Sequence, residues 1–104
     1  MMDFDMLETL VCLWASKHGI FSQGTTIAQA EKTLEEAQEI KDAIEEGDRD
    51  KLVDALGDTL VTLIVQAEMN GVDLIECGET AWNEIKDRKG EMVDGQFVKE
   101  VGNG

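Results

Sequence analysis

Five carboxylates carry the chemistry legible in this chain. Glu35, Glu36 and Glu39 fall in one run, KTLEEAQEI, and Asp54 and Asp58 fall in a second, LVDALGDTLVTLIV. On a helix Glu36 and Glu39 stand at i, i+3, so their side chains stack one turn apart and can reach one cation or two neighbouring ones. Glu35 adds a third ligand or a base. A solvated acidic face is the commoner meaning of such a run, and the EExxE spacing alone leaves that alternative open. Asp54 and Asp58 shift the weight toward a ligand. An acid in so apolar a helix costs several kcal/mol to desolvate unless a positive charge meets it. A hard divalent cation would serve, and so would a buried Lys32, Lys86 or Arg88. Oxygen donors with no convergent His or Cys favour Mg²⁺, with Mn²⁺ as the alternative, over zinc.

Two facing helices are needed to bring these acids together, and the periodicity predicts them. Ile27, Ala30, Leu34, Ala37, Ile40 and Ile44 recur every three or four residues, giving a helix from Thr26 to about Glu46 opened by a capping box of Thr26 with Gln29. Asp48 or Asp50 caps the next helix, which runs to Met69 and stops at Asn70-Gly71. Apolar residues surround nearly the whole of that cylinder, so it is the central helix and requires a multi-helix or oligomeric core. Asp54 and Asp58 point inward or at a cleft. Gly57 between them costs about 1 kcal/mol of helix propensity relative to Ala and leaves room for another helix or a ligand.

Phe4 to Lys17 forms a first amphipathic helix ended by His18-Gly19, with IFSQGTT as a loop. Asp73 and Glu76 open a fourth helix that ends near Gly90, with Leu74, Cys77, Ala81 and Ile85 on its apolar face. The tail EMVDGQFVKE carries Asp-Gly between alternating segments and predicts a hairpin or extended arm over 91–104. The expectation is therefore an all-α, four-helix domain spanning 1–104 with a short C-terminal arm.

The chain has 104 residues and a formal charge of −14, from 23 acidic and 9 basic residues, which disfavours nucleic acid as a partner. No uncharged run approaches the ~20 residues that span a bilayer, and the first twenty residues lack a signal-peptide layout, so the expected location is cytoplasmic, away from membranes. Cys12 and Cys77, with no CxxC or His pair, read as reduced core thiols. His18, the sole histidine, reads as a helix-end or surface residue, so Ser/His/Asp chemistry has no support. In WNEIKDRKG, Asn83, Lys86 and Arg88 follow Trp82 and could bind phosphate, or the cations could merely complement a helix dipole.

The segments KTLEEAQEI, DALGDTLVTLI and AWNEIKDRKG together resemble the MazG-like, all-α nucleoside triphosphate pyrophosphohydrolases over roughly Trp14 to Glu100. The resemblance implies a four-helix bundle that forms a homodimer or homotetramer and binds Mg²⁺ through acidic helices. It also implies hydrolysis of nucleoside triphosphates to the monophosphate and pyrophosphate. Glu36 and Glu39 match the first metal-binding pair, Glu35 the adjoining glutamate, and Asp58 the aspartate of the second pair. Asn83 and Lys86 match the nucleotide-contacting end. On that pattern Glu35 or Glu39 handles the attacking water, and Lys86, Arg88 and Lys32 contact phosphate. The family's second motif carries a glutamate three residues before its aspartate, where this chain has Ala55. Asp54, i, i+4 to Asp58 and about 40° from it on the cylinder, is the residue placed to compensate as a ligand. The rival expectation is a non-catalytic acidic helical oligomer that binds nucleotides or proteins.

Overall fold

The computed structural model describes residues 1–100, and the last four positions of the expected arm, 101–104, lie outside the described residues. Helices α1 (Phe4–Lys17), α2 (Ile20–Gln23), α3 (Thr26–Glu46), α4 (Arg49–Met69) and α5 (Leu74–Ile85) precede strands β1 (Gly90–Val93) and β2 (Gln96–Lys99). The chain forms two compact units that divide after Leu74.

In the first unit, α3 and α4 are an antiparallel helical hairpin. Gly47 takes a left-handed φ of +68° to end α3, and the Asp48 carboxylate accepts the Lys51 N–H at 3.0 Å to start α4. Two amides cross between the helices: Gln29 Nε2 donates to the Thr62 carbonyl at 3.1 Å, and Gln66 Nε2 donates to the Thr26 carbonyl at 3.3 Å. Together with Lys51 on Glu46 at the closed end, they fix the register that sets Glu36 opposite Asp58. Helix α1 lies on α4 through Val11, Ala15, Ile64 and Val65, around which Phe4, Leu7, Ile20, Phe21, Leu60 and Val61 pack.

Local departures from the sequence expectation have local causes. Thr25, not Thr26, caps α3 by accepting the Ala28 N–H at 3.1 Å, because Gln29 is drawn across to α4 and is not free to complete a capping box. The expected loop IFSQGTT contains α2. A Cβ at Gly24, just past α2, would collide with the Ile20 carbonyl, so only glycine lets the chain turn there. Helix α5 stops at Ile85 and not near Gly90, with Lys86 and Arg88 closing onto Trp82 and Ile85 as turns. Cys77 is exposed and Cys12 half-buried, so only Cys12 approaches the core thiol expected of both.

The expected all-round burial of α4 is not met within one chain, since Val53, Leu56 and Leu63 remain exposed. Ala55, Thr62, Ile64, Val65 and Ala67 are the α4 residues that α1 and α3 help to cover. In the second unit, β1 and β2 pair antiparallel from Gly90↔Lys99 to Val93↔Gln96. Asp94 and Gly95 both take positive φ, as a tight two-residue hairpin turn requires. No residue of α5 or of the hairpin is buried. No described helix is long and apolar enough to cross a membrane.

A methyl group at Gly57 would meet nothing within 4 Å in the chain. Gly57→Ala is therefore expected to stabilise the protein by about 1 kcal/mol through helix propensity. The measurement is a thermal melt, in which this corresponds to a rise in Tm of roughly 4 °C or more. A fall would mean that something else in the native protein occupies the space.

Candidate metal centre

The register of α3 on α4 brings Glu36, Glu39 and Asp58 into one group, with a carboxylate oxygen of each within 4.8 Å of the others. Glu36 is the enclosed member, at 9% exposure. Its Oε1 takes the Lys32 ammonium at 3.2 Å, one helical turn back, while its buried Oε2 has no hydrogen-bond partner. An unpaired buried carboxylate oxygen is unfavourable, and such atoms mark strain, catalysis or an ion site.

The most enclosed acid is thus on α3, not on α4 as the apolar run suggested. Asp54 and Asp58 are both exposed, although the Asp58 side chain reaches the α3 acids. Glu36 sits at the edge of the α3 stripe, where the facing helix closes over it.

The electrostatics run in one direction. The Glu36 charge, the largest cause, raises the Glu39 carboxyl above its ordinary range, and loss of solvent and the Asp58 charge add to this. Asp58 is raised first by loss of solvent and then by the charges of Asp54 and Glu36, with Lys32 opposing. Lys32 is itself raised, chiefly by its hydrogen bond to Glu36. Carboxylates that raise one another favour taking up a proton or a cation. Three hard oxygen donors from two helices, one of them buried and unpaired, fit a hard divalent ion.

Other predicted residues are placed differently. Asp54 lies outside the group, and its charge reaches Asp58 without its oxygen joining the cluster. Glu35 is exposed and stands 3.7 Å from Lys32, also outside the group. Asn83, Lys86 and Arg88 are exposed in the second unit, Asn83 on α5 and the two cations beyond its end.

A cleft of about 250 Å³ adjoins the group, sharing Glu36 and Asp58 with it and lined also by Lys32. Trp14, Ile20, Val61 and Val65 make its apolar wall, and Gln29 and Thr62 add polar atoms. Trp14 is half-exposed, its ring 5.2 Å from that of His18. The sequence reading missed these residues. Trp14 falls on the apolar face of α1 and reads as core, and nothing in its spacing links it to acids on α3 and α4. A larger hollow of about 510 Å³ follows the strand ends of the hairpin, but no acid cluster forms there among the described residues.

The family model of the MazG nucleotide pyrophosphohydrolase domain matches residues 24–93, more than half of the chain. The chain belongs to the MazG nucleotide pyrophosphohydrolase family. All three converging acids lie inside the MazG match, whereas Trp14 and Ile20 of the cleft wall precede it. No curated protein and no solved structure matches this MazG chain.

The raised Glu39 carboxyl has a consequence for stability. Its protonated form is favoured by the fold, so that contribution is present at acidic pH and is lost as pH rises through the raised value. In chelator at neutral pH, Glu39→Gln should melt above the wild type, and the advantage should vanish on acidification into the carboxylate range. Thermal melts across that range check this. A variant less stable than wild type at neutral pH would contradict it.

Proposed function

We propose that this MazG protein hydrolyses ribo- or deoxynucleoside triphosphates to the monophosphate and pyrophosphate in a Mg²⁺-dependent reaction, with Mn²⁺ as a substitute. The observation that carries the reading is that Glu36, whose Oε2 is buried and unpaired, groups with Glu39 and Asp58 inside the MazG domain. A divalent cation held by these three residues would neutralise triphosphate charge and polarise the attacked phosphorus.

The chain's own side chains do the rest. Lys32 anchors Glu36 from one side, and its half-exposed side chain also lines the cleft, where a phosphate oxygen can meet it. Glu39 takes the proton of the attacking water, with the adjoining Glu35 as the alternative acceptor. Asp54 adds negative charge beside Asp58. Asn83, Lys86 and Arg88 enter on their chemistry alone, as an amide and two cations suited to phosphate. The flat face of Trp14 and the aliphatic wall of the cleft suit a planar base.

Exposed apolar residues on both long helices support a homodimer or homotetramer: Ile27, Leu34 and Ile44 on α3, with Val53, Leu56 and Leu63 on α4. The location that suits a nucleotide-pool substrate is the cytoplasm. One observation favours a second reading, a nucleotide-binding or protein-interaction module without turnover. Ala55, 2% exposed, stands where the resemblance implies a metal-binding glutamate.

The test is pyrophosphate release from each common nucleoside triphosphate with Mg²⁺ or Mn²⁺. Asp58→Asn is expected to lower it by at least the roughly 10–100-fold that even an outer partner of a metal ligand commands. Trp14→Ala is expected to act mainly on KM, by roughly fivefold to a hundredfold, since base stacking is worth about 1–3 kcal/mol. No release from any nucleotide with either metal would overturn the proposal in favour of the second reading.

A further inference from the structure

We propose that each chain holds a single divalent cation and that the Lys32 ammonium is the second positive charge of the centre. The inference rests on the metal-dependent reading above and specifies what that centre contains. Its starting point is the division of labour on Glu36. One oxygen, Oε1, is taken by Lys32 at 3.2 Å, and the other, Oε2, is buried and free. Glu36 therefore has one oxygen to give to a metal ion. A second ion on its other oxygen would have to displace the ammonium.

Charge points the same way. Glu36, Glu39 and Asp58 contribute three negative charges and Lys32 returns one positive, leaving two for one divalent ion to neutralise. Centres that hold two ions place them roughly 3.5–4 Å apart and need carboxylates around both. Among the described residues no fourth acid brings an oxygen into this group. Ala55, nearly one turn before Asp58, offers a methyl group packed into the interior at 2% exposure. Asp54 and Glu35 both stand outside the group. Lys32 is half-exposed, so it can hold Glu36 and still meet a phosphate oxygen. Any further ion in the working complex then arrives on the nucleotide's own phosphates.

The experiment is a Mn²⁺ titration of the metal-free, full-length protein without nucleotide, read by the electron paramagnetic resonance signal of free Mn²⁺. One tightly bound Mn²⁺ per chain is expected. Asp54→Asn should keep that count, whereas Asp58→Asn should lose it. Lys32→Gln removes a competing charge and should tighten the bound ion several-fold, with a second, weaker Mn²⁺ now admitted beside Glu36. Lys32 is exposed enough for this change to spare the fold, which circular dichroism checks. Two tight ions per wild-type chain, loss of the ion in Asp54→Asn, or weaker binding in Lys32→Gln would each overturn the inference. If pyrophosphate is still released in those cases, the proposed function stands. If neither Mn²⁺ binding nor pyrophosphate release is found, both fail.

Discussion

Burial of the Glu36 carboxylate between α3 and α4, with one oxygen satisfied by Lys32 and the other by nothing, is the constraint on which the site depends. A carboxylate in that state is tolerated only if the surrounding fold is held together by other contacts and if a positive charge can reach it. The core of Val11, Ala15, Ile64 and Val65 supplies the first condition by fixing α1 on α4. The amides of Gln29 and Gln66, each bonded to a backbone carbonyl of the facing helix, fix the level at which α3 meets α4. A slip of one residue would rotate an acid by about 100° and take it out of the group. The register of one helical pair therefore sets both the stability problem at Glu36 and the convergence of Glu39 and Asp58 that answers it.

Periodicity alone made much of this fold legible. Apolar spacing marked α1, α3 and α4, the pair Asp48 and Asp50 marked the start of α4, where Asp48 is the cap, and Asp94-Gly95 marked the hairpin turn, because each is a local rule with a local cause. Which acid is buried was not legible, since that depends on where one helix covers another. The apolar character of α4 pointed to Asp54 and Asp58, yet the enclosed acid sits at the edge of the stripe on the less apolar α3. Gln29 shows the same limit: it fits a capping box by sequence but reaches across to Thr62 in the folded chain, and the cap moves to Thr25. Trp14 and Ile20 belong to the site only because α1 and α2 pack beside the acidic pair, which no spacing in the sequence encodes.

Ala55 ties the fold to the function. The resemblance calls for a glutamate there, and the structure instead packs a methyl group inward, so the acidic centre is a group of three with a lysine beside it. This arrangement differs from four carboxylates in charge as well as in number, and charge governs how many cations a site will accept. The cleft lined by Lys32, Glu36 and Asp58 gives the arrangement a direction, with an apolar wall on one part and a lysine side chain on another. A planar base carrying a polyphosphate has both kinds of surface.

The most direct test is diffraction from crystals of the full-length protein grown with Mn²⁺, using anomalous scattering to locate the ion. A single peak per chain is expected at ligand distance, about 2.0–2.2 Å, from Glu36 Oε2 and from carboxylate oxygens of Glu39 and Asp58, with Lys32 still on Oε1. A Glu36 Oε2 hydrogen-bonded to another side chain, with Mn²⁺ absent from the group or bound elsewhere, would contradict the account.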